Sequence, residues 1–285
     1  MLLSWAKRVS TSVSTNQLLV FLGTNEVAVI NQSRGLRNQI NDQKQVTFQA
    51  PIESINTEAP IWQQAIVQLD KLLSAMQIKP GTRLNITLAS EFVRYISLPA
   101  LQIRMNAAEK LAYVAAAYQD VYGEVVNDWA IKLHDAPNNE ATLAAAIDKK
   151  LMAEITQVAL KHQLKINSVQ PYLMRAFNTL ASQMSHASGY LVIVELKRLL
   201  LINLQNGKYQ HLRAFAISDN WQSEFKNLML RESFLGNACE QKILVYAPTQ
   251  KNTVLNMMDG WQLKRISTCK NVITHMQYAM LEVAL

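Results

Sequence analysis

Short apolar runs alternate along this chain with longer stretches in which apolar positions recur every three or four residues. The short runs predict strands and the longer ones helices. Side chains alternate across a strand, and on a helix they return to one face about every 3.6 residues. Residues 18–22 and 26–31 flank Gly23-Thr24-Asn25, which signals a hairpin, and a more polar third strand is predicted at 45–49. Helical spacing starts near Ile61, carries Ile66, Leu69, Leu72, Leu73 and Met76, and ends at Lys79-Pro80-Gly81. Residues 84–89 alternate as a strand, and 92–98 read as extended up to Pro99. Residues 107–122 form an alanine-rich helical pattern with Leu111, Val114, Ala115 and Tyr118 on one face, followed by strands at 129–134 and 142–147. A helix at 149–162 places Leu151, Ile155, Val158 and Ala159 inside; a strand at 164–169 and a helix at 171–184 follow, with Pro171 in its first turn.

The second half repeats this order. Strands are predicted at 190–195, 199–205 and 209–217, with Asn206-Gly207 as a two-residue hairpin turn. A helix at 220–232 opens after Ser218 or Asp219 as its cap, and is followed by a strand at 243–246, a helix at 249–258, a strand at 261–266 and a helix at 271–283. Each half therefore reads as three antiparallel strands, helix, strand, helix, strand, helix. Doubled, this is an α/β architecture of the actin and hexokinase superfamily, built from two ribonuclease-H-like lobes. The expected organisation is a flexible or anchoring terminus at 1–15 and a first lobe at 16–187. That lobe carries a strand–helix–strand–strand insert at about 91–147, and a second lobe covers 188–285.

Composition narrows the function classes. The 285 residues are 49% hydrophobic and 17% charged, which supports sizeable cores and argues against disorder. With 8 Gly and 7 Pro, long flexible linkers are not expected. No apolar run approaches the roughly 20 residues that span a bilayer. The first residues lack the central apolar region of a secretory signal. A net charge of +7 favours acidic partners, but the basic residues are scattered, so nucleic acid is not expected as a partner. Cys239 and Cys269 and the five histidines have no metal-ligand spacing, so no metal is expected and a reducing compartment is.

Phe92-Val93-Arg94-Tyr95-Ile96-Ser97-Leu98-Pro99 resembles a segment of bacterial actin-like assembly proteins. These are the PilM-like proteins of type IV pilus machines, the MshI-like proteins, and the cytoplasmic domain of type II secretion GspL. In them a strand ending in Arg-Tyr-x-x-Leu-Pro opens a small inserted subdomain, also shared with the division protein FtsA. The run from Tyr278 to Leu285 resembles their last helix. The resemblance implies a cytoplasmic protein, peripheral at a bacterial inner membrane. It would bind the cytoplasmic tail of a single-pass pilus or secretion protein near the insert, with Phe92, Arg94, Tyr95 and Leu98 as partner-binding candidates. It leaves homo-oligomerisation open.

Actin-like ATPases cradle phosphates in two strand–turn–strand hairpins with Asp-x-Gly. The carboxylate positions the metal, and the glycine lets backbone amides approach the phosphates. Here Phe21 stands in the first acidic position and Gly23 is kept. In the second turn either Ile193 or Glu195 takes the acidic position, and either Glu195 or Lys197 replaces the glycine. The Gly-Gly that lies under adenosine is replaced by Tyr246-Ala247-Pro248-Thr249, and the second half leaves little room for the subdomain that walls the cleft. No cofactor and no catalysis are therefore expected, the alternative being an active ATPase or small-molecule kinase. Glu195 reads either as a remnant metal carboxylate or, preferably, as a strand-end charge paired with Lys197, Arg198 or solvent. Arg94 either pairs with a partner carboxylate or braces its own insert. Trp62 and Trp129 read as core or subdomain contacts, and Asn256-Met257-Met258 as core or rim packing or an adaptable docking surface. No Walker loop, dinucleotide glycine fingerprint or nucleophile elbow occurs.

Overall fold

The computed structural model describes residues 16–33, 39–49, 59–100, 105–134, 140–218, 220–234, 240–251, 260–268 and 276–285. The chain forms strands β1 (Asn16–Leu22), β2 (Glu26–Ser33) and β3 (Gln39–Thr47), helix α1 (Gln63–Ser74) and strand β4 (Arg83–Leu88). After a 3-10 turn at Ser90–Phe92 come β5 (Arg94–Leu98), α2 (Ala107–Tyr122), β6 (Trp129–Leu133) and β7 (Thr142–Asp148). Then follow α3 (Lys149–Lys161), β8 (Lys165–Pro171) and α4 (Tyr172–Met184). The second half holds β9 (Gly189–Val194), β10 (Arg198–Gln205), β11 (Lys208–Ala216), α5 (Trp221–Phe234), β12 (Lys242–Tyr246) and β13 (Gln262–Arg265).

Two five-stranded sheets have the same connectivity, β3-β2-β1-β4-β8 and β11-β10-β9-β12-β13. In each, the first three strands run antiparallel, and the first strand pairs parallel with the fourth. A third antiparallel sheet, β5-β7-β6, is inserted after β4.

The strand patterns decide the layers. In β9, Tyr190, Val192 and Val194 join a cluster with Trp221, Phe225 and Met229 of α5. Leu191 and Ile193 face the opposite way, into the cluster that also holds β1, β2, β4, α1, α3 and α4. The two lobes therefore share one continuous core across their junction. In β7, Leu143, Ala145 and Ile147 enter that core, while Ala144 and Ala146 face Val114 and Tyr118 of α2. Small alanines there let the insert helix approach closely. Each fully buried Val, Leu, Ile or Phe stabilises by about 1.5–3 kcal/mol, and β1 is buried along nearly its whole length. Lys208 of β11 ion-pairs with Glu140 at 2.7 Å, joining the second lobe to the insert.

Several sequence expectations need correction. Strand β3 starts at Gln39, not near Gln45, because its polar residues lie on a half-exposed edge where apolar alternation is not required. Leu111 is 43% exposed, so the inner face of α2 rests on Val114 and Tyr118. Phe92 belongs to a 3-10 turn, and the strand begins at Arg94. Pro171 caps α4 from outside its first turn. Met276–Ala284 forms 3-10 rather than α turns. Of the helix expected at 249–258, the described residues hold a 3-10 turn at Pro248–Gln250; residues 252–259 and 269–275, with Asn256, Met257, Met258 and Cys269, lie outside the described residues, as do 1–15, the cap candidate Asp219 and Cys239.

Candidate functional site

The β1–β2 and β9–β10 hairpins end at the junction of the lobes with matching turns. In the first, Gly23 N–H donates to the Glu26 carbonyl at 2.8 Å, and Phe48 N–H donates to the Asn25 carbonyl at 2.9 Å. In the second, Glu195 N–H donates to the Arg198 carbonyl at 2.8 Å, and Ile217 N–H donates to the Lys197 carbonyl at 3.1 Å. The shared pattern equates Phe21 with Ile193, Gly23 with Glu195, and Asn25 with Lys197. The two turns thus align with Ile193 opposite Phe21 and Glu195 opposite Gly23.

The space beside the turns is filled by protein. Phe21, Ile193 and Tyr172 are fully buried, and Phe21 packs edge-to-face on Tyr172, with centroids 6.0 Å apart and planes at 82°. A Cβ on Gly23 would sit 3.0 Å from Phe21 Cε1, so the glycine leaves room for the aromatic ring. Tyr246 is buried against Tyr172.

Glu195 is 2% exposed, and its carboxyl reaches out of its own turn to the Ser90–Phe92 turn. Its Oε2 accepts from Ser90 N–H at 2.9 Å and its Oε1 from Ser90 Oγ at 2.5 Å. Tyr95 Oη lies 3.2 Å from Ser90 Oγ, within hydrogen-bond reach. Burial pushes the Glu195 carboxyl up to about 8, opposed by the Ser90 hydrogen bonds and Arg198 and reinforced by Glu91. Glu91 accepts from Thr24 Oγ1 at 2.6 Å; burial raises its carboxyl too, against that bond and the charges of Arg198 and Lys197. Among the described residues no group of three or more His, Cys, Asp or Glu side chains is arranged to hold a metal ion.

On the other side of the Ser90–Phe92 turn lies a groove of about 250 Å³ between the first lobe and the insert. Trp62, Glu91, Phe92, Arg94, Val125 and Trp129 line it. Trp62 Nε1 donates to Asp148 at 3.1 Å, and Arg94 Nη1 donates to the Glu91 carbonyl at 3.0 Å, which braces the turn. Trp129 stacks edgewise on Tyr122 at 5.1 Å. Of the four partner-binding candidates, Phe92 and Arg94 line the groove. Tyr95 faces Ser90, and Leu98 is buried in the insert core. Sequence reasoning missed Ser90, Glu91 and Tyr172. The available signal was Glu195 itself, a charge that closes the apolar run Tyr190-Leu191-Val192-Ile193-Val194 and needs a partner when buried.

Two lobes with one sheet order, joined at their hairpin turns and carrying an insert after the fourth strand, define an actin-like fold. Three solved structures are similar along most of the chain. The PilM–PilN type IV pilus biogenesis complex matches at 12% identity with a TM-score of 0.62, covering 90% of this chain and 89% of that one. The cytoplasmic domain of EpsL, an inner membrane component of the type II secretion system of Vibrio cholerae, matches at 10% identity and 0.56, covering 94% of both. A Bacteroides thetaiotaomicron protein with an actin-like ATPase fold and unknown function matches at 12% and 0.59, covering 94% and 96%. At such identities the likeness is one of fold. No protein-family model matches the sequence, and no curated protein does. Among the described residues no helix is long and apolar enough to cross a membrane.

Proposed function

We propose that this protein is a non-catalytic scaffold of an inner-membrane platform for a type IV pilus, an MSHA-like pilus or type II secretion. It would work on the cytoplasmic side, held to the membrane by its partner. The observation that carries the non-catalytic reading is the filled junction: Phe21, Ile193, Tyr172 and Glu195 are buried where phosphates and their metal would need open space. The groove beside the insert supports a peptide partner. Trp62 and Phe92 lie buried at its base, while Val125 and Trp129 offer apolar surface and Arg94 faces it with a charge for a carboxylate. An extended cytoplasmic tail of a single-pass pilus or secretion protein suits this lining.

The test is isothermal calorimetry with the N-terminal tail of the single-pass protein encoded beside this one. Binding at micromolar concentration, weakened at least about tenfold by Trp129→Ala as expected for a groove aromatic, agrees with the reading. No binding at high micromolar concentration sinks it. Mg-ATP supplies the opposing test. A ligand at 100 times its Kd stabilises by about 2.7 kcal/mol, so a melting shift of several degrees would overturn the non-catalytic reading.

A further inference from the structure

The Ser90–Phe92 turn has an unusual set of neighbours. The turn at the end of β9 holds it through Glu195, which accepts from both the N–H and the hydroxyl of Ser90. The turn at the end of β1 holds it through Thr24, whose hydroxyl donates to Glu91 at 2.6 Å. The insert reaches it through Tyr95 Oη, at 3.2 Å from Ser90 Oγ. Ser90 and Glu195 are 3% and 2% exposed, so separating them would leave two donors and a carboxylate to find new partners. The turn's outer side, Glu91 and Phe92, walls the groove.

We infer that the Ser90–Phe92 turn takes the place of a nucleotide as the piece gripped by both hairpin turns, so that the lobes latch shut without a ligand and the state of the latch is transmitted to the groove. The first half stands on the hydrogen bonds alone; the second half rests on the proposed role of the groove. A bound nucleotide would bridge two glycine turns through its phosphates. Here Glu195, the counterpart of Gly23, reaches across with its carboxyl, and Thr24, next to Gly23, reaches across with a hydroxyl. The charged and titratable groups facing the Glu195 carboxyl are Glu91 on the turn, Arg198 across its own hairpin, Tyr95 of β5 and Tyr172 of α4. A groove occupant that shifts Phe92 acts on the same three-residue turn that carries Ser90. By reciprocity the latch then alters the affinity for that occupant.

Hydrogen–deuterium exchange on the full chain tests the latch. Ser90→Ala removes the hydroxyl and keeps the backbone donor; Glu195→Gln keeps the shape and guards against a variant that fails to fold. With one such bond lost, exchange at residues 22–26 and 194–198 should rise about tenfold in Ser90→Ala, while the α5 core stays unchanged. Unchanged exchange at both turns in both variants overturns the latch. Calorimetry of Ser90→Ala with the tail peptide tests the coupling: an affinity change of about threefold or more is expected, and an unchanged affinity alongside faster exchange overturns it. If wild-type protein does not bind the peptide, the groove reading and the coupling that rests on it fall together, and the exchange result still decides the latch.

Discussion

Replacing Glu195 by glutamine should change how stability depends on pH more than it changes stability at any one pH. Burial holds the Glu195 carboxyl at about 8 in the folded protein, against an ordinary 4.5 in the unfolded chain. Between those values the native state keeps a proton that the unfolded state has released, so the unfolding free energy falls as pH rises. The slope for one group approaches about 1.4 kcal/mol per pH unit. Across the whole window the loss is on the order of 5 kcal/mol, a large share of the 5–15 kcal/mol typical of a folded protein. The amide of the Glu195→Gln variant would accept from Ser90 N–H but has no proton to release. The wild-type protein should therefore exceed Glu195→Gln in stability near pH 5, and the difference should shrink or reverse by about pH 8.5. Urea unfolding of both proteins at several pH values measures this difference directly. Glu26, which burial pushes up to about 7, contributes equally to both curves and cancels. Parallel curves would refute the reasoning, because they would mean that Glu195 titrates alike in the folded and unfolded states.

Phe21→Asp places an acid in the first hairpin turn, yet it should cost at least about 4 kcal/mol through the lost ring and a buried carboxyl; a variant that melts like wild type and gains Mg-ATP stabilisation would contradict the filled junction. Gly207→Ala should destabilise by about 2–4 kcal/mol in thermal unfolding, since Gly207 sits at φ +73 with its Cβ position 2.5 Å from the Ser185 carbonyl. Leu111→Gln should move stability by less than about 0.5 kcal/mol, because the exposed leucine lies off the buried face of α2; a loss of about 2 kcal/mol, the cost of truncating a core leucine, would restore it to the core.

Local sequence was enough to set the elements and their doubling. Apolar runs in β1, β4, β9 and β10, Asn206-Gly207, and the spacing of Ile66, Leu69 and Leu73 encode preferences that depend on near neighbours. The same patterns marked out the insert that follows β4. Long-range packing decided the rest, because it depends on contacts far apart along the chain. Leu111 and Val114 carry the same helical signal, and only the placement of β7 buries one and leaves the other in water. Strand β3 is polar because it is an edge, which no local pattern marks. The register of the second turn was open until the hydrogen bonds of Gly23 and Glu195 could be compared. Glu195 was legible as a charge ending an apolar run, but its partner lies 105 residues away. A buried carboxylate specifies that it must be met by donors, not which ones; the meeting of two lobes across one core supplied Ser90.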